Sequence, residues 1–326
     1  MRTNLLFAAA VLSATAITTT SCEKTLPYNA NDSQISALTI NSAAECGKPM
    51  TATLTLSNVY SRLLDPTYKL SSDTKYQQRL ITQGTVQLTV NGSATYPMTY
   101  DENGLNYVSD YIPSEGDVIS IEAKSSQAVT AQATCTVPSR PEISLIDYNV
   151  GRNDTDSLDA DIRVRIADPE GNNYYRIIVR TTAKKTVESN AATSGTSSSG
   201  SGETQYYTDD TFTSADEVFY DMTINKSYGS WPAYFSNVFD DTLFDGTTRD
   251  IALHVSRDCE GMHCTSMEVQ VQSLSKDMYL YMKSYLQYRI RSNYEDGSGS
   301  FYIYSNVNSG YGIVGGIATS SADIPL

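Results

Sequence analysis

The chain is poor in the groups that most catalysis and nucleic-acid binding draw on. It has two His and one Trp in 326 residues, and 23 Lys and Arg against 37 Asp and Glu. Phosphate recognition needs clustered cations. A formal net charge of −14 therefore argues against a nucleic-acid partner and against a polybasic membrane patch. There is no G-x-S-x-G nucleophile elbow, no H-E-x-x-H pair, and no glycine-rich phosphate loop leading from a strand into a helix. His254 and His263 are the only imidazole bases, and no spacing ties either to a Ser or Cys nucleophile. Paired carboxylates can hydrolyse glycosides, but so acidic a sequence contains chance pairs, so the pairing alone carries no signal. Long apolar runs are missing as well. Leu5 to Ile17, interrupted only by Ser13 and Thr15, falls short of the roughly 20 residues that a membrane-spanning helix needs.

That short run has the layout of an export signal instead. Arg2 supplies the positive start, the apolar stretch follows, and the small polar residues Thr18 to Ser21 lead to Cys22. A cysteine in this place is a lipobox cysteine. Its thiol takes a diacylglycerol and its freed amine a further acyl chain such as palmitate, and two or more chains anchor stably. Thr19 stands where Leu is usual. The reading predicts a signal peptide over 1–21, lipidation at Cys22, a tether over 22–28, and an outer-membrane, lipid-anchored protein. The membrane face stays open.

Export sets the redox compartment, and so the reading of the other four cysteines: Cys46, Cys135, Cys259 and Cys264. An even count outside the cytoplasm predicts two disulfides. Three pairings are open. Cys46 with Cys135 and Cys259 with Cys264 is favoured, the first bracketing one domain and the second closing a tight loop.

What the sequence does have is strand chemistry. There are 24 Tyr, and 40% of residues are hydrophobic, with Thr and Val recurring in period-two runs. Ala52, Leu54 and Leu56 alternate within Met50 to Tyr60, and Val86, Leu88 and Val90 alternate ahead of the turn signal Asn91-Gly92. Further runs cover 94–100, 105–112, 118–123 and 129–137. Pro138 and Pro141 then break the pattern. A second β region starts near Ile143. Ile162, Val164 and Ile166 alternate before Asp168-Pro169-Glu170-Gly171, and Tyr174 to Thr181 returns, which predicts a hairpin. Further strands are expected at 218–224, 250–255 and 267–273. Residues 187–205, rich in Ser and Gly, read as a mobile loop. From Ser275 the period changes. Met278, Met282, Tyr285 and Arg289 share one face, with Ser275 as cap and Asp277 in the first turn, which predicts a helix over 275–290. The expected architecture is mainly β. It has two sandwich domains (Ig-like or transthyretin-like) over 29–140 and 141–326, the second with one C-terminal α-helix.

Four constellations bear on chemistry. His254, Cys259, His263 and Cys264 supply zinc-type ligands, but His263 and Cys264 are adjacent and export favours the disulfide. The run Asp154, Asp156, Asp159, Asp161 lacks the Gly and Glu that an EF-hand loop requires. Asp240, Asp241 and Asp245 remain as weak calcium candidates. Tyr228, Trp231, Tyr234, Phe235 and Phe239, broken up by Gly229 and Pro232, form an aromatic segment that could stack on a ligand or fill a partner's pocket. No catalytic residue and no cofactor is implied.

The last part of the chain carries a resemblance. Ser305-Asn306-Val307, followed by Gly310-Tyr311-Gly312-Ile313-Val314-Gly315-Gly316, resembles the closing pattern of the Bacteroidota domain-of-unknown-function 4249 family, with Val314 where Phe is common and Ser309 where Gly is common. The Tyr-rich helix, Asp168-Pro169 with Asn173-Tyr174-Tyr175, and Asp240-Asp241 with Phe244-Asp245-Gly246 fit the same layout. The resemblance implies a lipoprotein commonly found beside TonB-dependent outer-membrane receptors, with no established activity. On this footing the chain is expected to be a non-enzymatic binding or accessory component. The alternatives are a fimbrial-type structural subunit and a carboxylate-dependent hydrolase.

Overall fold

The computed structural model describes residues 37–57, 79–152, 157–187, 202–221, 234–259, 262–294 and 302–326. The first half holds β1 (Leu38–Glu45), β2 (Met50–Leu56), β3 (Thr85–Val90), β4 (Ala94–Asp101), β5 (Asn106–Ser109), β6 (Val118–Ser125) and β7 (Ala128–Thr136). The second holds β8 (Glu142–Arg152), β9 (Leu158–Ala167), β10 (Tyr174–Val187), β11 (Gly202–Asp210), β12 (Phe212–Thr213), β13 (Tyr220–Asp221), β14 (Tyr234–Phe235), β15 (Val238–Asp240), β16 (Thr248–Arg257) and β17 (His263–Leu274). It closes with the helix α1 (Lys276–Tyr294) and β18 (Gly310–Ile324). Among the described residues the protein is mainly β and sandwich-like, with one α-helix near its C-terminus, as the alternation and the change of period at Ser275 predict.

Two hydrophobic cores result. The first gathers the inward residues of β1, β2, β3, β6 and β7, among them Leu38, Ile40, Leu54, Leu88, Ile119 and Ile121. The second lies between two sheets. Ile162, Val164 and Ile166 of β9 and Ile251, Leu253 and Val255 of β16 face Ile177 and Val179 of β10 and Val269 and Val271 of β17. Each such fully buried side chain contributes roughly 1.5–3 kcal/mol. Phe219, Phe239 and Phe244 fill the space beside them, with Phe219 edge-on to Phe239 at 5.3 Å between ring centroids.

The strand order shows how the cores are joined. One continuous sheet runs β11-β10-β17-β18-β1-β2-β5-β4-β3-β6-β7, with β15 pairing β10. A second sheet runs β12-β16-β9-β8. β18 is the splice. Its first half pairs parallel with β1, Leu38 opposite Gly310 through Glu45 opposite Ile317, and its second half pairs antiparallel with β17. Val314 accordingly belongs to the first core and Ile324 to the second. All the described residues fall in one compact unit.

The structure corrects several expectations. β9 and β10 do not form a hairpin. β9 pairs with β8 and β16, and β10 with β17, β11 and β15. Both strands bury one face in the same core, so the turn after Asp168 crosses between sheets. The low-complexity loop is shorter than 187–205, because β10 reaches Val187 and β11 begins at Gly202; the remainder lies outside the described residues. The segment expected as a strand over 218–224 begins instead as a 3-10 turn, Glu217–Phe219, capped by Asp216. Cys259 and Cys264 form the expected disulfide, but Cys46 and Cys135 are free thiols. Cys135 is buried on β7 opposite Ile119 of β6, whereas Cys46 lies past the end of β1, where its N–H donates to the Ile317 carbonyl. Burial pushes the Cys135 thiol up to about 12.

Candidate functional site

The helix starts where its sequence says it should. The Ser275 hydroxyl accepts from the Met278 N–H at 3.3 Å, an N-cap bond. The same hydroxyl accepts from the Gly316 N–H at 3.0 Å, and the Ser275 N–H donates to the Gly316 carbonyl at 2.9 Å. The start of α1 is thus tied to the closing glycines. Gly316 also lies hard against the end of β7, where a β-carbon would overlap the Thr136 carbonyl oxygen. Met278 seats the helix in a small apolar cluster with Val238, Leu274, Ile313 and Ile317. Tyr285, expected on that inner face, is instead 43% exposed. It continues a ladder of rings, parallel to Tyr281 at 6.3 Å and tilted against Tyr288.

Beside this helix start lies a cavity of about 900 Å³, a size typical of small-molecule sites. Three chain reversals wall it: 136–142 after β7, 167–175 between β9 and β10, and 273–277 at the start of α1. Its wall combines Pro and Tyr rings with Ser, Asn, Arg140 and Lys276. Three carboxylates belong to it: Glu142, Asp168 and Asp277. Two are already engaged. Asp168 accepts from the Tyr175 hydroxyl at 2.5 Å through one oxygen and from the Gly246 N–H at 2.9 Å through the other. Burial raises its pKa above the ordinary carboxylate value, and those two bonds offset part of the rise. Asp277 accepts from the Tyr304 hydroxyl. Neither histidine lies in the wall.

The acidic loop behind Asp168 is assembled differently from the sequence expectation. Asp241 and Asp245 come together, but with Asp168 rather than Asp240, and one carboxylate oxygen from each lies within 4.8 Å of the others. Asp241 accepts from the Asn173 N–H at 2.6 Å and Asp245 from the Gly171 N–H at 2.9 Å. Asp240 turns away, accepting from Thr242 and from the Tyr279 hydroxyl at 2.9 Å. The trio offers oxygen ligands suited to a hard cation. The signal for Asp168 was present in the Asp168-Pro169 turn, but nothing local shows that the fold carries it to Asp241.

Of the aromatic candidates, Phe239 is a core residue, 2% exposed, between Phe219 and Phe244. Tyr228 and Trp231 lie outside the described residues, as do the side chains of Tyr234 and Phe235. The zinc constellation does not assemble. Cys259 and Cys264 are consumed by the disulfide, and His254 stands on the outer face of β16 between Asp161, 2.9 Å from Nδ1, and Asp159, 3.3 Å from Nε2. The hydrogen bond to Asp161, then the charges of both carboxylates, raise the His254 pKa above 6.5. The ion pair therefore contributes stability in full below that value and loses it as pH rises through the folded-state pKa. His254→Gln is expected to unfold more easily than wild type near pH 5 and equally near pH 9 in urea titrations, by less than about 1 kcal/mol because all three groups are exposed.

The comparison with protein families decides the kinship. A family model described as a domain of unknown function, DUF4249, matches residues 23–323. The chain belongs to the DUF4249 family. Of the segments that carry the sequence resemblance to DUF4249, the Asp168–Tyr175 reversal and the start of α1 line the cavity, and Gly316 is bonded to Ser275 in its wall. No curated protein matches the DUF4249 chain. A solved structure described as a membrane-anchored protein from Corynebacterium diphtheriae matches at 13% identity over 73% of this chain and 54% of that one. The chain thus spans about half the length of that protein, and the TM-score of 0.20 is too low to assign a shared fold. Among the described residues of the DUF4249 chain, no helix is long and apolar enough to cross a membrane.

Proposed function

We propose that this DUF4249 protein is a non-enzymatic binding component of the cell envelope, held to the outer membrane through acylated Cys22 and working beside a TonB-dependent receptor. The observation that carries the reading is the cavity at the start of α1. Its floor is rigid, because Ser275, Gly316, Asp168 and Tyr175 are locked to one another or to neighbouring backbone. Binding pockets gain affinity from walls that need no ordering on association. The mixed polar and ring-bearing wall suits a polar ligand. The leader and the family's usual setting support the location.

A second reading, carboxylate-dependent hydrolysis, draws on Glu142, Asp168 and Asp277 sharing one cavity. The bonds that engage Asp168 and Asp277 favour binding over it. A fimbrial role would need a free strand edge that accepts a partner's strand. Among the described residues β7, β8, β11 and β12 stand at sheet edges; a register shift between Leu145 and Asp147 interrupts β8, a device that discourages such pairing, and Asn308 bridges to Gln132 on β7.

The test is affinity purification of the C-terminally tagged full chain from intact outer membrane. The expected result is stoichiometric recovery of a TonB-dependent receptor. Ladders of the chain itself would favour the fimbrial reading. The chain recovered alone would overturn the accessory role.

A further inference from the structure

The ladder of rings on α1 continues onto the chain that returns beside it. Tyr285 and Tyr288 are 43% and 38% exposed, and Tyr302 is 71% exposed. The Tyr304 N–H donates to the Ser284 hydroxyl at 2.8 Å, which lays this returning segment along the helix. Tyr311, 44% exposed, joins from β18. It pairs with Thr39, two places before Ile313 pairs with Asn41 and four before Gly315 pairs with Ala43. Ile313 and Ala43 belong to the apolar cluster under α1, so this register puts Tyr311 on the sheet face that carries the helix. Four tyrosines are thus open to solvent on one side of the protein.

Single exposed rings need no explanation, but two observations set this group apart. One is charge. The chain carries 37 acidic residues against 23 basic ones, yet within α1 Lys276, Lys283, Arg289 and Arg291 stand against Asp277 alone, and Asp277 is bonded to Tyr304. The negative charge that holds most of this chain off a phosphate layer is missing here. The other is where the chain enters the fold. β1 begins at Leu38, opposite Gly310 and next to the Thr39–Tyr311 pair. Cys22 lies sixteen residues before Leu38, a reach of at most about 55 Å. The anchored end therefore joins the fold at the edge of the ringed side.

We propose that the tyrosine face formed by α1, Tyr302 and Tyr311 lies on the surface of the phospholipid bilayer that holds the anchor, a docking that rests on the acylation of Cys22. Tyrosine suits this place, because its ring enters the acyl boundary while its hydroxyl stays among the headgroups. The basic charge of the helix then sits at the level of the phosphates. The tether makes this second contact intramolecular, so the weak partition of a few rings is enough to choose which side meets the membrane. The sheet β12-β16-β9-β8 packs on the opposite face of the long sheet from α1, and so faces away from the bilayer.

Photo-crosslinking of the acylated full chain, reconstituted in vesicles of phosphatidylcholine and phosphatidylglycerol, tests this. Benzoylphenylalanine is placed at position 285, at position 302 and, for comparison, at position 163 on the outer face of β9. Positions 285 and 302 are expected to give chain–phospholipid adducts, read by intact mass, at about tenfold the yield of position 163, because the tether holds one face at the bilayer and the other away from it. Tyr288→Ser together with Tyr311→Ser is expected to lower the adduct yield at position 285 several-fold with the urea-unfolding midpoint unchanged. An intact mass without acyl groups would overturn the anchor, and this orientation with it. An acylated chain labelled no more at 285 and 302 than at 163 would overturn the orientation alone. Crosslinked dimers in place of lipid adducts would make a second copy of the chain the occupant of this face, and would overturn it equally.

Discussion

Gly312→Ala is expected to destabilise the protein by about 3 kcal/mol or more, measured as the loss in urea-unfolding free energy. Gly312 has φ +100°, a region that L side chains rarely adopt, and a β-carbon there would overlap the Ile40 carbonyl. Neither problem can relax alone. Ile40 is fully buried in the first core, and β1 is held on both sides, by β18 and by β2. Moving β18 away would open the junction between the two cores. The effect should therefore reach both halves: amide hydrogen exchange should speed up in β1 and in β17 together. A loss under about 0.5 kcal/mol, or one confined to the first core, would show that β18 is not the splice.

Asn306→Ala should cost about 2–6 kcal/mol, from two buried backbone groups left unpaired at roughly 1–3 kcal/mol each. The Asn306 side-chain amide acts as a short substitute strand against β18. Its Nδ2 donates to the Val314 carbonyl at 2.8 Å and its Oδ1 accepts from the Val314 N–H at 3.0 Å. Val314 is fully buried, so water cannot replace those bonds. The measurement is the same urea titration. A near-neutral result would mean that another group can cover that stretch of β18.

These two residues also show where the sequence is silent. Period-two runs are legible because burial on one face demands them, and β2, β3, β6, β7, β9 and β16 sit close to where alternation puts them. β18 is not legible in that way. Gly310, Gly312, Gly315 and Gly316 have no side chain to alternate, since neighbouring backbone or Met278 fills the space. β1 is faint for a related reason: its inward Ser42 and Ala44 are small. Alternation reveals a strand but not its partner, and so β9 and β10 read as a hairpin when they face each other across a core. The helix is legible from Ser275 onward, because capping and the change of period are local. The cavity is not, because two of its walls, 136–142 and 167–175, meet a third, 273–277, that lies far along the chain. Asp168 joins Asp241 and Asp245 only through the fold, while Asp240, next to Asp241 in sequence, points to the opposite side and meets Tyr279.

The binding role of the cavity is tested most directly by photo-crosslinking from its rim in intact cells. A benzoylphenylalanine placed at Ser139, an exposed wall residue, is compared with one at Arg163 on the outer face of β9. The account predicts a discrete crosslinked product from position 139, competed away by the Ser275-side variant Lys276→Trp that fills the cavity, and none from position 163. Absence of any product at 139, or the same products from both positions, would contradict it.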